Sequence, residues 1–155
     1  MVDSVLDLLP QELIKKTDVY ALTQVIEYEK FGLYFSAHWC PPCRLFTPVL
    51  VDFYNKINEK EKKLEIIFVS NDQSPQQFNE YYKTMPWCAI NFNDDEIRDT
   101  IGEALQINGI PCLLIFDNKG KKVCDDARTI IENNYENTKE SALKAFEKLN
   151  NSESD

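Results

Sequence analysis

The sequence predicts an α/β domain built on a mixed sheet, and three observations carry that prediction. Three short apolar runs, FGLYFSA (31–37), LEIIFVS (64–70) and CLLIFD (112–117), are too brief and too continuous for surface helices, so they read as central strands buried on both faces. Between the first two lies PPCRLFTPVLVDFYNKINEK, where Phe46, Val49, Leu50, Phe53 and Ile57 recur at helical spacing. A chain of 155 residues with 43% hydrophobic and 12% aromatic content is the size of one domain and can bury a core without covalent staples.

Each element follows in order. The strand at 31–37 leads into a helix whose first turn holds Pro41 and Pro42, positions that need no intrahelical N–H. Pro48 lies inside that helix; it removes the bond to the Arg44 carbonyl and predicts a kink. After the strand at 64–70, Ser74 and Pro75 suit the cap and first position of a helix over about 75–84. A further helix is expected from Asp94 to Leu105. DNKG (117–120) then joins CLLIFD to KKVC as a hairpin, with Asn118 and Gly120 in the turn. In NTKESALKAFEKLN, Thr138 caps a helix with Ala142, Leu143, Ala145, Phe146 and Leu149 on one stripe. The expected sheet is parallel at its centre with a hairpin strand at one edge. One domain over 1–150 accounts for the pattern, and the acidic end NSESD (151–155) is expected to fray.

Charge and cysteine usage narrow the function. Seventeen Lys and Arg against 26 Asp and Glu give a net charge of −9, which repels nucleic-acid phosphates and anionic membrane surfaces. The start MVDSVLDLLPQELIKK has no basic region followed by a long apolar stretch, and no run of about 18 apolar residues occurs. Five cysteines is an odd number, and outside one close pair they are scattered at 88, 112 and 124, a poor match to a secreted disulfide framework. A soluble, cytoplasmic protein is the expectation.

The close pair sits in HWCPPCRLF (38–46) beside the only histidine, His38. Three chemistries compete for it. A zinc site needs two more ligands at suitable spacing, and the remaining candidates are that histidine and three isolated cysteines. A structural disulfide inside one helical turn closes too small a loop to restrain the unfolded chain much. The third reading is a redox dithiol. Cys40 falls at the helix N-terminus, where unpaired N–H groups and the dipole favour a thiolate, and Cys43 lies one turn further along on the same side. Because Pro41 and Pro42 lack N–H groups, the N–H and thiol of Cys43 are the expected donors to the Cys40 sulfur. Such moderate stabilisation suits a reductase better than a strong oxidant, whose reduced form is very stable.

The string FSAHWCPPCRLFTPVL, then IIFVSNDQSPQQF, then MPW at 85–87, then GIPCLLIFD, resembles the tryparedoxin and nucleoredoxin branch of the thioredoxin superfamily. The likeness runs in order over about residues 31–130. It implies a thioredoxin fold, thiol–disulfide oxidoreductase activity and no bound cofactor. By position it makes Cys40 the attacking nucleophile and Cys43 the resolving cysteine. It makes Trp39 an exposed ring beside the dithiol, and it assigns substrate contact to Pro41, Ile110 and Pro111, the last as a cis-proline. Arg128 in DDARTI matches a basic position near the active-site rim of tryparedoxins. Tyr34 stands where ordinary thioredoxins carry a buried Asp. Two positions depart from the pattern: Asn71 replaces the Trp of tryparedoxins, and Cys112 replaces the Thr that usually follows the cis-proline. Cys112 is either an extra thiol near the dithiol or a small hydrophobe opening a strand. Cys88 and Cys124 read as packing residues, and His38 as a solvent-facing side chain.

Two function classes follow. One is a monomeric dithiol reductase that takes electrons from a low-molecular-weight thiol or a flavoprotein reductase and passes them to disulfide-containing proteins such as peroxiredoxins. The other is a redox-dependent binding module, nucleoredoxin-like, in which turnover is incidental.

Overall fold

In the computed structural model, which describes residues 4–150, the chain opens with a 3₁₀ turn (Val5–Asp7) and a hairpin of β1 (Glu12–Lys15) and β2 (Asp18–Ala21). It continues through α1 (Leu22–Val25), β3 (Lys30–Ser36), α2 (Pro41–Ile57), β4 (Leu64–Ser70), α3 (Pro75–Tyr82), β5 (Cys88–Ala89) and α4 (Asp95–Ala104). Then come β6 (Cys112–Asp117), β7 (Lys122–Cys124), α5 (Ala127–Asn134) and α6 (Lys139–Leu149). The tail at 151–155 lies outside the described residues.

The sheet has seven strands in the order β2-β1-β5-β4-β3-β6-β7. Only β3, β4 and β5 run parallel; β6 lies antiparallel against β3, and a hairpin closes each edge. The expected single edge hairpin is thus corrected to two. The added one comes from residues 12–21, too short and too polar to stand out by alternation, and is held by pairing of Ile14 and Lys15 with Ala89 and Cys88. Helix α5 was also not anticipated, because its eight residues carry only two fully buried side chains, Ala127 and Ile131.

Alternation along the strands divides the core in two. Tyr34, Ile66, Phe68, Leu113 and Ile115 face α2, α3, α5 and α6, whereas Phe31, Leu33, Phe35, Ile67, Val69, Leu114 and Phe116 face the 3₁₀ turn, α1 and α4. The buried stripe of α2 is Cys43, Phe46, Thr47, Leu50, Phe53, Tyr54 and Ile57. Val49, expected on that stripe, is partly exposed instead, as is Leu143 on α6. Each lies next to a buried neighbour in sequence, and one residue step turns a helix by about 100°, enough to leave the contact face. The helix α2 runs through Pro48 without interruption. Ser74 and Thr138 cap their helices as expected, accepting from the N–H groups of Gln77 and Ser141.

One buried charge anchors the unforeseen hairpin. Glu65 on β4 is fully buried; its carboxylate accepts from Lys15 Nζ at 2.8 Å, from Tyr54 Oη at 2.8 Å and from the Ile66 N–H at 2.9 Å. Burial pulls the Lys15 ammonium down, but the bond and charge of Glu65 outweigh it and hold the group above its ordinary value.

The turn between β6 and β7 depends on Gly120, whose φ of +90° lies in the left-handed region. Its carbonyl accepts from the Val5 N–H at 3.1 Å, and a Cβ there would run into the Ser4 hydroxyl. Gly120→Ala is therefore expected to destabilise the protein by at least about 1–2 kcal/mol, read as a lowered midpoint in urea unfolding with an unchanged slope.

Candidate active site

The end of β3 and the start of α2 are joined by a four-residue turn that other parts of the chain hold from outside. The Asn71 N–H donates to the Ser36 carbonyl at 2.9 Å, and the Asp72 carboxylate accepts from the His38 N–H at 2.7 Å. Asp72 is fixed in turn by the Ser70 hydroxyl at 2.7 Å. Arg44 reaches back to the His38 carbonyl at 2.6 Å. Arg98 on α4 pins the end of β4 through the carbonyls of Ser70 and Phe92, each at 2.7 Å. The turn thus enters α2 in one geometry without relying on its own short sequence.

Cys40 is the N-cap of α2. Its sulfur accepts from the Cys43 N–H at 3.4 Å, one of the two donors expected once the two prolines are discounted. Across the site the Ile110–Pro111 bond is cis, and the Ile110 carbonyl lies 3.9 Å from the Cys40 sulfur. Cys40 is 5% exposed and Cys43 fully buried, so only Cys40 keeps a path to solvent. Burial, and next the bond to Cys40, push the Cys43 thiol up to about 11. The two sulfurs therefore differ in reach.

The remaining predicted side chains surround this pair unevenly. Trp39 is 48% exposed, and its indole N–H donates to the Asn71 carbonyl at 3.1 Å, which holds the ring at the rim. A cleft of about 680 Å³ lined by Phe35, Asn71, Arg98 and Asn108 adjoins that carbonyl. Pro41 lies in the first turn of α2 and is exposed, the Ile110 carbonyl faces the Cys40 sulfur, and Pro111 beside it is buried. Arg128 does not join them directly: its guanidinium lies 5.9 Å over the Phe46 ring and bonds Glu132 on its own helix at 3.3 Å. His38 is exposed, with its ring 5.7 Å from that of Tyr81.

The other cysteines are elsewhere. Cys112 pairs with Phe35 across β6 and β3 and packs with the cluster on the sheet face away from Cys40 and Cys43. Its thiol is pushed up by burial and then by Asp126 and Asp125, which makes it a poor nucleophile at neutral pH. Cys88 and Cys124 are buried. Among the described residues no three His, Cys, Asp or Glu side chains gather as a metal site.

Four side chains not singled out in the sequence complete the site. Ser36 faces the Cys43 thiol, and its hydroxyl bonds Tyr81 Oη at 2.6 Å. Tyr81 Oη bonds Thr47 Oγ1 at 2.6 Å, and Thr47 Oγ1 bonds Tyr34 Oη at 2.6 Å. Asp72 is the fourth. A Ser-x-Asp pair directly after a strand is a turn signal that could have flagged Asp72; nothing local connects Ser36, Thr47 and Tyr81.

Comparison with known proteins places this arrangement. The thioredoxin-like family matches residues 28–123. The chain is 43% identical over 108 residues to nucleoredoxin of Danio rerio, covering 70% of this chain and 26% of that protein, so it spans about a quarter of the nucleoredoxin's length. It is 37% identical over 118 residues to tryparedoxin of Trypanosoma brucei brucei, covering 76% of this chain and 81% of that one. Among solved structures, tryparedoxin II complexed with glutathionylspermidine superposes with a TM-score of 0.77 at 32% identity, covering 83% of this chain and 91% of that chain. With its dithiol at the N-terminus of α2 and its sheet order in place, the chain belongs to the thioredoxin-like family of thiol–disulfide oxidoreductases, in the branch that holds the tryparedoxins and nucleoredoxins.

Proposed function

We propose that the protein is a dithiol reductase of protein disulfides, with Cys40 as the attacking sulfur and Cys43 as the resolving one. The observation that carries this reading is the asymmetry of the pair. Cys40 caps the helix, accepts the Cys43 N–H and keeps the only route to solvent, while Cys43 is buried with its thiol pushed up. A thiolate at Cys40 attacks a substrate disulfide and forms a mixed disulfide; Cys43 then attacks Cys40 and releases the reduced substrate. Trp39, Pro41, Ile110 and Pro111 form the surface on which the substrate lies, and Arg128 sets the charge further out. Peroxiredoxin-type disulfides are the substrate class, a low-molecular-weight thiol or a flavoprotein reductase is the electron donor, and a cytoplasmic monomer is the working state.

The test is a donor panel: reduction of a model protein disulfide with glutathione, trypanothione, or NADPH with thioredoxin reductase. Multiple turnovers with at least one donor are expected. Single-turnover behaviour with all of them would favour the second reading, a nucleoredoxin-like docking module, which the 43% identity to a nucleoredoxin supports. The dithiol is expected to equilibrate nearer the roughly −270 mV of thioredoxin than the roughly −120 mV of a strong oxidant. Titration in glutathione redox buffers measures this, and an oxidising value would point to disulfide formation instead.

A further inference from the structure

Resolution poses a proton problem that the dithiol alone does not solve. Cys43 is fully buried and its thiol is pushed up to about 11, so at pH 7 it is held overwhelmingly in the protonated form. The Cys40 share of that rise vanishes once Cys40 is tied up in a mixed disulfide, but the larger share, from burial, remains. Ordinary thioredoxins, as this branch's pattern implies, place a carboxylate where this chain has Tyr34. No carboxylate is bonded to Cys43 among the described residues.

We infer that the buried hydroxyls of Ser36, Tyr81 and Thr47 form a proton relay that deprotonates Cys43 during resolution. The Ser36 side chain bonds the Cys43 sulfur in the sense that favours its thiolate; Tyr81 Oη lies 2.6 Å from Ser36 Oγ; Thr47 Oγ1 lies 2.6 Å from Tyr81 Oη; and Tyr34 Oη closes the row at 2.6 Å. All four residues are at most 3% exposed, so the hydroxyls have no bulk water competing along the row. Tyr81 and Thr47, 2% and 3% exposed, line a cleft of about 510 Å³ that serves as the outlet of the relay and whose other walls include His38, Arg44, Asp52 and Glu80. These four are the titratable and charged side chains on the cleft walls, and Cys43 is the titratable group that acts on Tyr81 from inside the protein. Burial raises both Tyr34 and Tyr81 above the ordinary phenol value, so each stays a neutral hydroxyl that can hand on a proton without holding a charge.

In each of these bonds either oxygen can be the donor. With the thiol protonated, the row points away from sulfur; with the thiolate formed, it points toward it. This inference rests on Cys43 being the resolving sulfur. In the step, the Cys43 proton passes to Ser36 Oγ, the Ser36 proton to Tyr81 Oη, and the Tyr81 proton out to water in the cleft, directly or through Thr47. The Cys43 sulfur gives its electron pair to the Cys40 sulfur, the Cys40–Cys43 bond forms, and the bond from Cys40 to the substrate sulfur breaks. The departing thiolate keeps that bond's electron pair and takes one proton from solvent. One proton leaves through the relay and one enters at the leaving group; the two cysteines are oxidised and the substrate disulfide is reduced. Ser36 thus touches a reacting sulfur, whereas Tyr81 and Thr47 act through it as positioning residues.

Ellman's reagent separates the two steps in one stopped-flow trace. The first release of thionitrobenzoate reports attack by the outer cysteine, and the second reports its displacement by the inner one. For Tyr81→Phe the first phase should match the parent protein, while the second slows by roughly 10- to 100-fold at neutral pH. That deficit should shrink as pH rises toward about 11, where hydroxide replaces the relay. The parent's second phase should also show a solvent deuterium isotope effect of larger size than the variant's. Ser36→Ala should behave as Tyr81→Phe does. An unchanged second phase with an unchanged pH profile in both variants would overturn the relay. Equal slowing of both phases would also overturn it, because that marks a packing defect. Loss of the first phase in Cys43→Ser, by contrast, would show that the assignment of the two cysteines is itself wrong.

Discussion

Cys43→Ser is expected to convert the protein into a trap. The attacking sulfur remains and the resolving one is gone, so mixed disulfides with partners should accumulate as adducts that dithiothreitol releases. Turnover should fall by several orders of magnitude, as it does when a residue of a chemical unit is removed. Cys40→Ser should abolish both turnover and trapping, because Cys43 is buried and its thiol is pushed up to about 11. Cys112 cannot substitute: it packs on the other face of the sheet, and burial and two aspartates raise its thiol. Adducts resolved by non-reducing electrophoresis and mass spectrometry measure the outcome. Trapping by Cys40→Ser would assign the attack to a different thiol, and adducts isolated from Cys43→Ser would identify the substrates.

Lys15→Ala is expected to be the most damaging change away from the dithiol. It leaves the Glu65 carboxylate fully buried without its counter-charge, with the hydroxyls of Tyr54 and Tyr20 and the Ile66 N–H as neutral partners. Breaking a buried pair in this way costs about 3 kcal/mol, the low end of the usual range, because the Lys15 side chain keeps part of its surface in water. For a domain of this size that corresponds to a fall in Tm of roughly 10 °C. Thermal unfolding of Lys15→Ala beside the double variant Lys15→Met with Glu65→Leu tests the cause. The double variant should recover most of the loss, since it removes the uncompensated charge as well as the partner. A single variant as stable as the parent would mean that the hairpin is held by strand pairing alone.

The same contrast separates what the chain declares locally from what folding assembles. The three central strands, the helix after the dithiol, the Ser74 and Thr138 caps and the spacing of Cys40 and Cys43 were legible because each depends on residues within a few positions of one another. Apolar runs, a proline pair and a cap residue act through hydrogen bonds and rotations that span one helical turn or one strand. That Cys43 donates to the Cys40 sulfur could be deduced for that reason: with Pro41 and Pro42 unable to donate, the N–H and thiol of Cys43 are the groups left in range, and the N–H is seen to donate.

The tertiary structure decided everything that depends on direction or on distant partners. Whether Cys112 joins the dithiol turns on a single step of strand parity, and pairing with Phe35 in β3 sends its side chain to the opposite face. Val49 and Leu143 failed as core residues because about 100° of helix rotation, invisible in a list of apolar positions, separates them from the contact stripe. The edge strands of residues 12–21 exist through pairing with Ala89 and Cys88 and through a lysine that meets Glu65 fifty residues away. The hydroxyl row is the extreme case, since Ser36 and Tyr81 are 45 residues apart and Thr47 and Tyr81 are 34 apart. Serine, threonine and tyrosine carry no local mark of their partners, so only the packing of α2 and α3 on one face of the sheet could bring their oxygens to hydrogen-bonding distance behind Cys43.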